Sequence, residues 1–106
     1  MGIDQRLTEE IVQRILSVTR PERIILFGSA ATGEMTADSD IDLLVLEASP
    51  PPTADHRTRI RRTLRGLGFP FDVIVMSTTR FEQTKELIGG IAYPAKQYGK
   101  VIYEAA

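Results

Sequence analysis

At 106 residues the chain is long enough to bury one hydrophobic core and too short for two, so a single domain over residues 1–106 is expected. Its 13 Lys+Arg against 14 Asp+Glu give a formal net charge of −1, which argues against direct nucleic-acid binding, and the absence of cysteine excludes disulfides and thiolate metal sites. No apolar run approaches the roughly 20 residues of a membrane span, and MGIDQRLTEE is no signal peptide, so a cytoplasmic protein without membrane contact is expected.

Leu7, Ile11, Ile15 and Val18 recur at helical spacing and Pro21 closes the segment, which predicts an amphipathic first helix. Arg23 to Phe27 reads as the first strand, and Ser29 to Thr32 as a short helix ending at Gly33. Asp40 to Leu46 reads as a second strand, apolar on both faces past Asp42 and therefore central in its sheet. Ile60, Leu64 and Leu67 give a helical stripe from Ala54 to Leu67, ended by Gly66 or Gly68. Phe71 to Met76 reads as a third strand and Phe81 to Ile88 as a helix broken by Gly89-Gly90. A further turn or two from Tyr93 to Tyr98 and a short edge strand from Val101 to Tyr103 complete the path.

The chemistry is concentrated in RIILFGSAATGEMTADSDIDLLVLE, from Arg23 to Glu47. A Gly28-Ser29 pair stops the first apolar run, and ten residues later Asp40-Ile41-Asp42 opens the second. Successive strand residues face opposite ways, so Asp40 and Asp42 share one face, roughly 6.5–7 Å apart along the strand. Two carboxylates held that way can share divalent cations, and the backbone N–H groups of a Gly-Ser turn can receive a phosphate chain. In the third run Asp72 interrupts an otherwise apolar strand, where burying a lone carboxylate would be costly.

Gly-Ser, ten residues, then Asp-x-Asp resembles the signature of the DNA polymerase β-like nucleotidyltransferase superfamily. At this size the chain is similar to its minimal nucleotidyltransferase (MNT) branch, commonly the antitoxin half of a HEPN/MNT toxin–antitoxin pair. The likeness covers nearly the whole chain, and Leu26 to Leu46 is its most specific part. It implies an α/β (α+β) nucleotidyltransferase fold, a mixed β-sheet with helices mainly on one face. It also implies roles residue by residue. Gly28 and Ser29 match the phosphate-binding turn for ATP, Asp40 and Asp42 the pair bridging two Mg²⁺ ions, and Asp72 the third acid. The implied activity is AMP transfer from ATP to a tyrosine of a cognate HEPN ribonuclease toxin, which neutralises the toxin within a hetero-oligomer.

One departure stands out. Many relatives carry arginine between the Gly-Ser pair and the next glycine, where this chain has Ala30, Ala31 and Thr32. That keeps a second reading open, a non-catalytic antitoxin that masks the toxin by contact. A third, a small-molecule nucleotidyltransferase, is disfavoured by size. His56, four residues before Ile60, is expected to be structural rather than catalytic. Arg57, Arg59, Arg61, Arg62 and Arg65 make the Ala54–Leu67 helix strongly basic, as a solvated face or a docking surface.

Overall fold

The computed structural model of the chain describes residues 3–33, 36 and 38–106; Met1 and Gly2 of the N-terminal segment read above, and Glu34, Met35 and Ala37 of the motif connection, lie outside the described residues. The first helix, α1 (Gln5–Leu16), starts where the Asp4 carboxylate accepts the Leu7 N–H at 2.8 Å, which satisfies one of the free donors of its first turn. It buries Ile11 and Ile15. Then follow β1 (Arg23–Phe27), α2 (Ser29–Thr32), β2 (Ile41–Glu47), α3 (Ala54–Thr63), β3 (Phe71–Ser77), α4 (Thr78–Thr84), α5 (Ala92–Tyr98) and β4 (Lys100–Glu104).

The sheet order is β3-β2-β1-β4, with β2 and β3 parallel and the other pairs antiparallel. It is a mixed sheet, and β2 is central as its two-sided apolar pattern requires. Ile41, Leu43 and Val45 of β2 join Ile24, Leu26 and Val73 under α1 and α3, and this is the larger core. On the other face Leu44, Leu46, Ile25 and Phe27 pack against Phe81 of α4 and Ala92 and Ala95 of α5. Gly99 lets β4 close against this second layer, since a Cβ there would sit 2.1 Å from the Ala95 carbonyl oxygen and 2.7 Å from Ile25 Cγ2.

Two helix boundaries differ from the sequence reading. The basic helix ends at Thr63 rather than Leu67, because the N–H of Leu64 turns to the Arg61 and Arg62 carbonyls and Gly66 and Gly68 adopt positive φ. The helix after β3 spans Thr78–Thr84 rather than Phe81 to Ile88. Ser77 caps it, its hydroxyl accepting the Arg80 N–H at 3.1 Å, and Leu87 and Ile88 beyond it are exposed. Among the described residues no helix is long and apolar enough to cross a membrane.

Candidate active site

The two faces of β2 have different duties. Ile41 and Leu43 point into the larger core, so Asp42 between them must point to the α4–α5 side, as must Asp40 two residues earlier. The short helices α4 and α5 cover Leu44 and Leu46 on that side. Asp42 is half-buried, whereas Asp40 and Asp72 are exposed.

Pairing completes the constellation. Phe27 of β1 lies opposite Asp42, and Asp42 lies opposite Asp72 of β3, so the three residues form one row across the sheet and share a face. Adjacent strands are roughly 4.8 Å apart, which brings Asp42 and Asp72 side by side. Burial raises the Asp42 pKa above the usual carboxylate value of 3.8, and the Asp72 and Asp40 charges raise it further. Among the described residues, no ion pair or side-chain hydrogen bond offsets the negative charge of these three acids.

Gly28 closes the near side of this patch. Its backbone, at φ 72° and ψ −155°, turns the chain out of β1 into α2. A Cβ at Gly28 would lie 2.2 Å from Asp42 Oδ2, so the backbone approaches the carboxylate as only glycine permits. Ser29 opens α2, whose first turn is tied by the N–H groups of Ala31 and Thr32 donating to the Gly28 carbonyl. The Ser29 hydroxyl bonds no described residue.

Among the described residues no three or more His, Asp or Glu side chains converge closely enough to hold a metal ion between them. The donor set is an open one: carboxylates on one face, with the charge of Asp42 disfavoured first by burial and then by Asp72 and Asp40. Such a set fits a hard divalent cation such as Mg²⁺, which prefers oxygen ligands, keeps several waters and shares its shell with phosphate oxygens.

One neighbour of this site had no signal in the sequence. Phe27, whose partner in the row is Asp42, read only as the end of an apolar strand. Lys100, which also had no signal, pairs with Leu26 and lines a hollow of about 240 Å³ with Ile3, Thr8, Ala30 and Gly33, on the opposite face of the sheet from Asp42. Only the β1–β4 register reveals it. His56 is structural as expected, its Nε2 lying 2.7 Å from Glu47 Oε2 on the opposite face of the sheet from Asp42.

Residues 6–94 match the family model described as "Nucleotidyltransferase domain". No curated protein sequence matches the chain. A crystal structure of a toxin–antitoxin with AMP-PNP is similar at TM-score 0.70 and 21% identity, covering 92% of this chain and 73% of that one. A tri-AMPylated Shewanella oneidensis HEPN toxin in complex with MNT antitoxin is similar at TM-score 0.66 and 19% identity, covering 97% of this chain and 74% of that one. A putative nucleotidyltransferase from Sulfolobus solfataricus is similar at TM-score 0.63 and 22% identity, covering 93% of this chain and 78% of that one. At these identities the likeness is one of fold.

Proposed function

The chain belongs to the nucleotidyltransferase family, and on that premise we propose that it is an antitoxin that transfers AMP from ATP to a tyrosine of a HEPN ribonuclease toxin. The observation that carries the reading is the row of Asp42 and Asp72, with Asp40 beside it and the Gly28 backbone against Asp42. Two structures of the same fold support the choice of donor and partner. One is a toxin–antitoxin with AMP-PNP, and in the other the HEPN toxin is AMPylated.

In the transfer, the tyrosine oxygen attacks the α-phosphorus of ATP. The new O–P bond forms as the bond to the β-phosphate oxygen breaks, and pyrophosphate leaves. Asp40, Asp42 and Asp72 are the residues that would hold two Mg²⁺ ions, which when bound supply Lewis-acid stabilisation of charge on the attacking and leaving oxygens. Asp72, exposed at the start of the edge strand, is the carboxylate open to an incoming acceptor and takes the tyrosine proton. The amides at Gly28 and Ser29, with the Ser29 hydroxyl, bind the β- and γ-phosphates. These are free donors at the start of α2, and N–H groups at such turns favour anions.

A second reading, masking of the toxin by contact without catalysis, is favoured by one feature, the absence of a cation in Ala30-Ala31-Thr32. One experiment separates the two. A candidate HEPN toxin is incubated with this chain, labelled ATP and Mg²⁺, and its mass is measured, in parallel with the double variant Asp40→Ala/Asp42→Ala. Under the transfer reading the wild type adds AMP units, and the variant docks but adds none and fails to protect cells. A variant that protects as well as the wild type, with the toxin unmodified in both, establishes masking.

A further inference from the structure

Helix α3 carries Arg57, Arg59, Arg61 and Arg62, with Arg65 in the turn after it; all five are exposed, and Asp55 is the one acid of the helix. None of the five guanidinium groups forms an ion pair with a described residue. Five of the chain's 13 basic side chains thus fall within nine residues of a protein whose net charge is −1. Three of them, Arg61, Arg62 and Arg65, line a groove of about 340 Å³ between α3 and the start of β3, floored by Phe69 and Phe71. Both phenylalanines are half-buried.

The groove's position gives it meaning. Its wall residue Phe71 directly precedes Asp72, and β3 is an edge strand, so a chain leaving the groove can pass round that edge to the Asp72 carboxylate. The Pro70 carbonyl accepts the Ile41 N–H at 2.9 Å, which fixes the groove's lip to the strand carrying Asp42. Crossing from the helix layer to the far face of a sheet spans about 10 Å, or roughly three residues of extended chain.

We propose that this α3–β3 groove docks an acidic segment of the acceptor protein and delivers the acceptor hydroxyl to Asp72. The proposal rests on the transfer reading above and adds the chemistry of the surface that selects the acceptor. Guanidinium forks pair with carboxylates in two-point contact, and the phenylalanine floor takes an apolar side chain between the acids. A protein segment can place its charges on the arginines and still bring a neutral hydroxyl to the acids. RNA would meet the same arginines, but a chain of net charge −1 has no broad positive field to hold a polyanion.

The test compares the wild type with the triple variant Arg61→Gln/Arg62→Gln/Arg65→Gln. It uses the HEPN protein of the transfer assay and, as a separate arm, a labelled ten-nucleotide oligouridylate. Binding of each probe is measured without ATP, and AMP transfer is measured at several acceptor concentrations. The triple variant is expected to weaken HEPN binding and raise the acceptor KM by about tenfold or more, with kcat at saturating acceptor and MgATP affinity unchanged. Its affinity should also lose most of the salt dependence seen in the wild type. The control Arg57→Gln/Arg59→Gln, outside the groove, is expected to shift acceptor affinity less than about twofold. Equal HEPN affinity for the wild type and the triple variant overturns the proposal, and so does arginine-dependent binding confined to oligouridylate. Arginine-dependent HEPN binding without any AMP transfer overturns the transfer reading and leaves the docking surface standing.

Discussion

Gly28→Ala tests whether the site is built on a forced approach of backbone to carboxylate. The substitution acts twice. It puts a Cβ at φ 72° and ψ −155°, a region almost reserved for glycine, where strain is about 1–3 kcal/mol. It also drives that Cβ to 2.2 Å from Asp42 Oδ2, which must swing away toward Asp40 or Asp72 at an off-rotamer cost of about 0.5–1.5 kcal/mol. Together these come to roughly 2–4 kcal/mol. With unfolding entropy near 2.1 cal/mol/K per residue, 106 residues give roughly 220 cal/mol/K, so the melting temperature should fall by about 9–18 °C. Gly33→Ala is the control, also at positive φ (83°) but with nothing described within 4 Å of the new Cβ, and should fall only about 5 °C. Adding Asp42→Ala to Gly28→Ala removes the oxygen and should recover the contact share, about 1 kcal/mol, leaving the strain. The assay is thermal unfolding by circular dichroism, with MgATP binding measured by calorimetry. If Gly28→Ala melts no lower than Gly33→Ala, the close approach is not a structural constraint and the reasoning fails.

Asp42→Asn should melt higher than the wild type at pH 7. The folded pKa of Asp42 is raised, so the native state binds more protons than the unfolded chain and stability falls as pH rises from 3.8 through the folded value. The advantage of the variant should therefore vanish below pH 3.8, where both states are protonated; an advantage that persists there refutes the assignment. Mg²⁺ titration should raise the wild-type melting temperature and leave that of Asp42→Asn nearly unchanged. His56→Ala strips the partner from Glu47, whose side chain is only 8% exposed, and should cost about 3 kcal/mol or more, whereas Glu47→Gln keeps the hydrogen bond and should cost far less. Equal melting temperatures for the two variants would show that the pair carries no such weight.

The strands were legible because their apolar runs are short, branched and bounded by turn residues. Arg23 to Phe27 coincides with β1, and Asp40 to Leu46 and Phe71 to Met76 fall within a residue of β2 and β3. Asp40 and Asp42 were assigned to one face by alternation alone. Placing Asp72 with them needed the β2–β3 register, which is a tertiary fact. The start of α4 was missed for a local reason. Ser77 follows an apolar strand read only to Met76 and so carried no signal of its own, although its hydroxyl caps the helix that follows. The strand order was not legible, and with it went Phe27 and Lys100, since a residue's cross-sheet neighbours do not follow from its own segment.

The alternation on β2 has a consequence for how the protein can change. Ile41, Leu43 and Val45 fill the larger core while Asp42 stands among the acids, so a one-residue slip of this strand would bury Asp42 and expose Leu43 together. Misalignment therefore cannot produce a well-folded but inactive molecule; the same error that empties the site puts a carboxylate into the core. Insertions within Ile41–Glu47 are tolerable only in pairs, and single-residue changes in length must be absorbed in the connection before Asp40. Proofreading of the site is thus delegated to folding itself.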